Sequence, residues 1–197
     1  MLKIELIWRE LLYRAIDKRQ PEFSITELAE RFSLSTSVVS HALFPLRELK
    51  MVKIEKTSSQ ITDSEKLLFF WATRRKLEKD IIYSTYNPQD VFSIESLMPA
   101  EAVPTAFSAC RLFFNINPAE YDKIFYYVAG KEDVLSRFPD GGKNKANVIF
   151  LKKDKFMESY EKIPMAQVFV DLWSLPEWYA RDFREVLLTK IKSAIGL

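Results

Sequence analysis

The sequence predicts an α+β protein in two parts, and three observations carry that prediction. Residues 24–60 read as two capped helices followed by an alternating ribbon. Two apolar, β-branched and aromatic runs, 123–128 and 147–151, read as strands. Helical periodicity returns between and after them. The division falls at Asn87-Pro88-Gln89-Asp90, a turn signal between two periodic segments. It gives an N-terminal domain over 1–86 and a C-terminal α+β domain over 87–197.

Leu2 to Lys18 is an amphipathic first helix, with Leu2, Leu6, Trp8, Leu11, Leu12 and Ile16 on its apolar side and Lys, Arg and Glu between them. Gln20-Pro21-Glu22 ends it, and Phe23 is placed to staple onto the next helix. That helix starts at a capping box, Ser24 with Glu27, and carries Ile25, Leu28, Ala29 and Phe32 as its stripe. Ser33-Leu34-Ser35 interrupts the pattern. Ser35 caps a second helix from Thr36, whose inward stripe is Val39, Leu43 and Leu46. Pro45 lies inside this helix and predicts a kink, with Arg47-Glu48-Leu49-Lys50 as a re-aimed last turn. Met51 to Lys56 alternates like a strand, and Thr57-Ser58-Ser59-Gln60 reads as a polar turn. Helix, turn, helix and basic ribbon in that order spell a winged helix-turn-helix.

Thr62-Asp63-Ser64-Glu65 is a second capping box, opening a long connecting helix to about Tyr83. Leu67, Leu68, Phe70, Trp71, Leu77, Ile81 and Ile82 are too many apolar residues for one narrow stripe. The helix is therefore expected to pack on two partners, one of them a second domain or a second subunit. Beyond the boundary, Phe92-Ser93-Ile94 reads as a short strand. Pro99 and Pro104 mark the turn before a helix over 105–114, and a short helix over 132–138 precedes the Asp140-Gly141-Gly142 turn. Residues 167–172 fit strand and helix equally. A last helix over 177–195 turns Trp178, Phe183, Val186, Leu187 and Ile191 inward.

Composition bounds the function. Hydrophobic residues make up 48% of the chain and aromatics 14%, which excludes disorder. The net charge is only +2, and residues 1–56 hold ten Lys/Arg against eight Asp/Glu. A globally basic nucleic-acid coat is excluded, while a sequence-specific reader with a few placed cations is not. One cysteine, Cys110, rules out an internal disulfide and suits a reducing compartment; beside Phe107, Ala109 and Leu112 it reads as a small buried hydrophobe. Without a signal-peptide pattern or a membrane-length apolar run, the expectation is a soluble, cytoplasmic protein with no membrane partner.

The outer face of the second helix carries the functional expectation. Thr36, Ser37, Ser40 and His41 are short hydrogen-bonding groups on the first turns of an exposed helix, where the backbone comes close to base edges in a major groove. Ser37, Ser40 and His41 are expected on bases, and Ser35, Thr36, Arg47 and Lys50 on phosphates. Lys53, Lys56, Ser58 and Ser59 would run along the adjacent minor groove or backbone. The segment resembles winged-helix regulators of bacteria and archaea, whose recognition helices read Ser-Thr-x-x-Val-Ser before Leu-x-x-Leu. Ser35, Thr36, Val39, Ser40, Leu43 and Leu46 stand in those places.

A second resemblance spans most of the chain. Leu68-Phe69-Phe70-Trp71-Ala72, Ile82-Tyr83-Ser84-Thr85, Glu95-Ser96-Leu97-Met98-Pro99 and Gln167-Val168-Phe169-Val170-Asp171-Leu172 look like pieces of archaeal regulators in which a winged helix is fused to a nucleotidyltransferase-like domain, similar to AbiEi-type antitoxins. The resemblance implies a DNA-binding repressor whose C-terminal domain kept a fold and lost its chemistry. The residues agree: a transferase needs a Gly-Ser turn and an Asp-x-Asp pair for Mg²⁺, but Gly130 and Gly142 each precede a lysine and no Asp-x-Asp occurs. Asp171 reads as a capping or buried hydrogen-bonding carboxylate.

His41 is the only histidine, so a histidine metal cluster is excluded, and four glycines leave little for a phosphate loop. Arg74-Arg75-Lys76 reads as a solvated or salt-bridged face ahead of phosphate contacts, and Lys152-Lys153-Asp154-Lys155 as a solvated loop ahead of a DNA or partner contact. Tyr121, Phe125, Tyr126, Tyr127 and Phe150 read as core rather than an RNA-stacking platform. The expectation is a non-enzymatic, cofactor-free regulator binding double-stranded DNA as a homodimer. Two alternatives stay open: a protein-interaction module with a partner surface on the C-terminal domain, and a ligand-responsive regulator.

Overall fold

Apolar spacing and hydroxyl caps set the first three helices: α1 (Lys3–Leu12), continued by a π-helical segment over Tyr13–Asp17, α2 (Ile25–Phe32) and α3 (Thr36–Glu48). The computed structural model describes residues 1–55 and 58–196. The Ser24 hydroxyl accepts from the Glu27 N–H (3.1 Å) and the Ser35 hydroxyl from the Val38 N–H (3.3 Å), so each satisfies an amide with no helical partner. The Glu27 carboxylate, expected to complete a capping box, instead accepts from Arg14 Nη2 at 2.5 Å. Between the two helices Ser33 takes a left-handed conformation (φ 52°), and the Leu34 N–H reaches back to the Ala29 carbonyl (2.9 Å). The helix from Thr36 runs on through Pro45 to Glu48.

Three short antiparallel strands, β1 (Glu22–Phe23), β2 (Val52–Lys53) and β3 (Ser59–Ile61), pair in the order β1-β3-β2. The strand read over 51–56 is thus two residues long, and Ser59-Gln60, read as turn, is strand. Asp63 caps α4 (Ser64–Ala72) by accepting from the Lys66 N–H at 2.8 Å.

The long helix expected to reach Tyr83 stops here. The Arg74 and Arg75 N–H groups both turn back to the Trp71 carbonyl (2.9 Å each), a 3₁₀ turn covers Leu77–Asp80, and Ile81–Thr85 forms β4. The physical reason lies in Ile81-Ile82-Tyr83-Ser84-Thr85, a β-branched and aromatic run that finds a ladder partner at residues 148–151. Of the seven residues that overfill one helical stripe, Leu67, Leu68, Phe70, Trp71 and Leu77 are buried within the chain, while Ile81 is exposed and Ile82 half-buried, both on β4 rather than on the helix. The five buried ones carry no argument for a second subunit.

The chain divides into two compact units: Met1–Arg75 with Pro164–Val170 and Leu188 onward, and Lys76–Ile163 with Asp171–Leu187. The lines differ from a single division at 86/87. In the first unit, Ile7, Leu11, Leu28, Phe32, Val39, Leu46, Leu67 and Trp71 form the core. In the second, β4, β5 (Val103–Thr105), β6 (Ile124–Val128) and β7 (Val148–Lys152) form a sheet in the order β4-β7-β6-β5, with β6 and β7 parallel, and α5 (Val91–Ser96), α6 (Ala106–Phe114) and α7 (Glu132–Leu135) lie between the strands in sequence. Residues 92–94, read as strand, are helical because Asp90 caps α5 through the Ser93 N–H (3.0 Å). β6 is buried on both faces: Ile124, Tyr126 and Val128 pack with Ile94, Val134, Phe138, Val148 and Phe150, while Phe125 meets Phe107 at 6.1 Å between ring centroids. Gly141, between α7 and β7, is required because a Cβ there would lie 2.4 Å from the carbonyl oxygen of Tyr86, the residue after β4.

The ambiguous segment at 167–172 is helical, within α8 (Met165–Trp173), and α9 (Ala180–Ala194) closes the chain. Phe183, Leu187 and Ile191 are inward as expected, but Trp178 (78% exposed) precedes the helix and Val186 lies on its outer side. The architecture is α+β, and no helix among the described residues is long and apolar enough to cross a membrane.

Candidate functional site

Burial of Val39, Ala42, Leu43 and Leu46 fixes which way α3 faces, and Trp8 Nε1 pins the helix by donating to the Ala42 carbonyl at 2.9 Å. The opposite face is in water. Ser35, Thr36, Ser37, Ser40, His41, Arg47 and Lys50 are all exposed, and Ser37, Ser40 and His41 lie together on successive turns. The Ser35 oxygen is engaged as the cap, leaving its O–H as a donor. Arg47 is 3.5 Å from the Glu48 carboxylate, and its guanidinium sits 5.5 Å from the centre of the Phe44 ring.

Phe44 was absent from the residues expected on this face, yet it is 55% exposed at its centre. The signal was available: Phe44 follows Ser40 by four residues and Ser37 by seven, the spacing of one helix face.

The ribbon departs from expectation in two places. Ser59 is buried (3% exposed), with its hydroxyl accepting from the Glu55 N–H at 3.3 Å, so it cannot meet a partner. In a three-residue strand the pairing register decides which side chains face inward, and here Ser59 and Ile61 do. Lys53 is exposed but lies 2.6 Å from Glu55, whose carboxylate raises the ammonium's pKa and offsets its charge locally. Ser58 is exposed. Lys56 and the neighbouring Thr57 lie outside the described residues. Two of the expected cations, Arg47 and Lys53, therefore each have a carboxylate at hand, which keeps the surface near neutral.

Elsewhere, Arg75 is buried beside Glu5 (Nη1 to Oε1, 3.8 Å), while Arg74 lies over the Phe70 ring (3.6 Å). Lys153 is held by Glu158 (2.9 Å) and the Glu101 carbonyl (2.9 Å). Asp171 is fully buried and accepts from Thr105 Oγ1 (2.8 Å) and the Tyr127 hydroxyl (2.7 Å), the hydrogen-bonding role its apolar segment suggested. Among the described residues no cluster of three or more His, Cys, Asp or Glu is placed to hold a metal ion. Cys110 has no exposed surface, and burial pushes its thiol pKa well up. Native protein is accordingly expected to resist iodoacetamide and to react promptly in urea; fast alkylation under native conditions would contradict this packing.

No protein-family model matches the chain, and neither a curated protein nor a solved structure matches it significantly.

Proposed function

We propose that the segment from α1 to β3 is a winged helix-turn-helix that binds double-stranded DNA sequence-specifically, and that the protein is a transcriptional regulator acting by binding rather than catalysis. One observation carries the reading: Ser37, Ser40 and His41 stand together on the water-facing side of α3. The order α1-β1-α2-α3-β2-β3, with β3 between β1 and β2, supports it by placing a ribbon directly after that helix. In this reading α3 enters the major groove, where its hydroxyls and imidazole meet base edges. Thr36, Arg47 and Lys50 contact phosphates, and Lys53 and Ser58 follow the flanking backbone. A homodimer on a palindromic site follows from the modest charge, because one such module makes too few contacts for useful specificity. Repression in the manner of antitoxins, with a degenerate nucleotidyltransferase-like second unit, is part of the same proposal.

A competing reading is favoured by one feature. Phe44 and Leu49 are large apolar residues exposed in and just after α3, and an apolar surface of low charge also suits a protein partner.

Anisotropy titration against a random duplex pool at two salt concentrations separates them. Wild type is expected to enrich a palindrome, with affinity that falls as salt rises. The double variant Ser40→Glu/His41→Glu should bind at least about a hundredfold more weakly, since two base contacts are replaced by repulsion. Failure to enrich any duplex at low salt would rule out the DNA reading and leave a protein-docking surface.

A further inference from the structure

Phe44 has no role in the contacts assigned so far, although it occupies the middle of the surface they share. At about 100° per residue, Ser37, His41 and Phe44 point away from the buried side of α3, and Ser40 and Arg47 flank them. A phenylalanine ring left 55% exposed forgoes the transfer energy it would gain by burial. Next to it opens a notch of about 170 Å³ lined by Ile25, Ser40, Leu43, Phe44, Arg47 and Ile54. The notch is mostly apolar, with one hydroxyl and one guanidinium at its edge. Arg47 is the one charged residue lining it, and its guanidinium stands 3.5 Å from the Glu48 carboxylate, so what the notch offers a partner is chiefly apolar.

The apolar group that base edges offer in the major groove is the C5-methyl of thymine. We infer that Phe44 is a specificity-determining residue that packs on the 5-methyl group of a thymine at this notch, beside the hydrogen-bonding contacts of Ser40 and His41. The inference rests on the DNA-binding reading of α3. It adds that recognition depends on an apolar contact, which neither charge nor hydrogen bonding supplies.

The test uses a duplex enriched from the random pool by the full-length protein. Each thymine is replaced in turn by deoxyuridine, which deletes the methyl group and leaves base pairing unchanged. Wild type is expected to lose about fourfold in affinity at one thymine per half-site, the worth of one buried methyl group. Phe44→Ala should bind the thymine and uridine duplexes equally. Its exposed position predicts an unchanged fold, checked by circular dichroism, and the wild-type scan stands by itself if that variant misfolds. Equal wild-type affinity for thymine and uridine at every position overturns the Phe44 assignment while the DNA reading stands. Discrimination that persists in Phe44→Ala also overturns it, by giving the methyl contact to another residue. If no duplex is enriched at all, both readings fail together.

Discussion

Asp171→Ala is expected to destabilise the protein by about 3–5 kcal/mol, seen as a large drop in the urea midpoint. The carboxylate is fully buried on α8 and accepts from Thr105 Oγ1 (2.8 Å) and the Tyr127 hydroxyl (2.7 Å). Truncation leaves both hydroxyls short of an acceptor where water has no access, and each such loss costs about 1–3 kcal/mol. The site also holds a strained turn. Ala106, which follows Thr105 and opens α6, has φ 48°, a conformation that a non-glycine residue keeps only when its surroundings impose it. Asp171→Asn keeps an acceptor oxygen in place and should cost less, about 1–2 kcal/mol. Tyr127→Phe removes one donor. In a double-mutant cycle with Asp171→Ala it should show clear coupling, since both changes act on one contact. A loss under about 1 kcal/mol for Asp171→Ala would show that these hydrogen bonds do not hold the unit together.

Legibility in the sequence tracked how local the determining physics was. The bounds of α2 and α3 were readable because a serine hydroxyl three residues from an amide is a neighbour in any context. β6 and β7 were readable because uninterrupted β-branched and aromatic runs suit a strand buried on both faces. The segment from 73 to 85 was misread because its fate was decided by β7, more than sixty residues away, with Thr85 opposite Val148. Residues 92–94 look like strand by composition, yet one aspartate cap tips them to helix. At the candidate site, Ser37, Ser40 and His41 were legible as polar residues on one side of a capped helix. Ser59 was not, because its direction depends on a ladder of three residues. Phe44 was hidden for a different reason. Apolar residues are read as core by default, so an exposed one on a polar face is overlooked although the spacing reveals it.

The same default hid Glu5, which reads as a solvated charge between the apolar residues of α1. Glu5→Ala is expected to cost about 3–5 kcal/mol, comparable to Asp171→Ala, because it breaks a buried ion pair from one side. Glu5 Oε1 accepts from Trp71 Nε1 (3.1 Å) and lies 3.8 Å from Arg75 Nη1, while Oε2 accepts from the Leu2 N–H (2.7 Å). The two side chains are 5% and 2% exposed. Alanine takes the carboxylate from the Arg75 guanidinium in a place where water cannot substitute for it. The consequences reach the candidate site through α1, which holds α4 by Glu5 and α3 by Trp8, one turn further along. The pair adds less stability than breaking it removes, since both charges were desolvated to form it. Glu5→Leu/Arg75→Met should therefore recover most of the loss, whereas Glu5→Leu alone should not. Thermal melting of the two single variants and the double variant decides the matter. Additive losses would mean that Glu5 and Arg75 are not coupled, and that the worth of Glu5 lies in its bonds to Trp71 and Leu2.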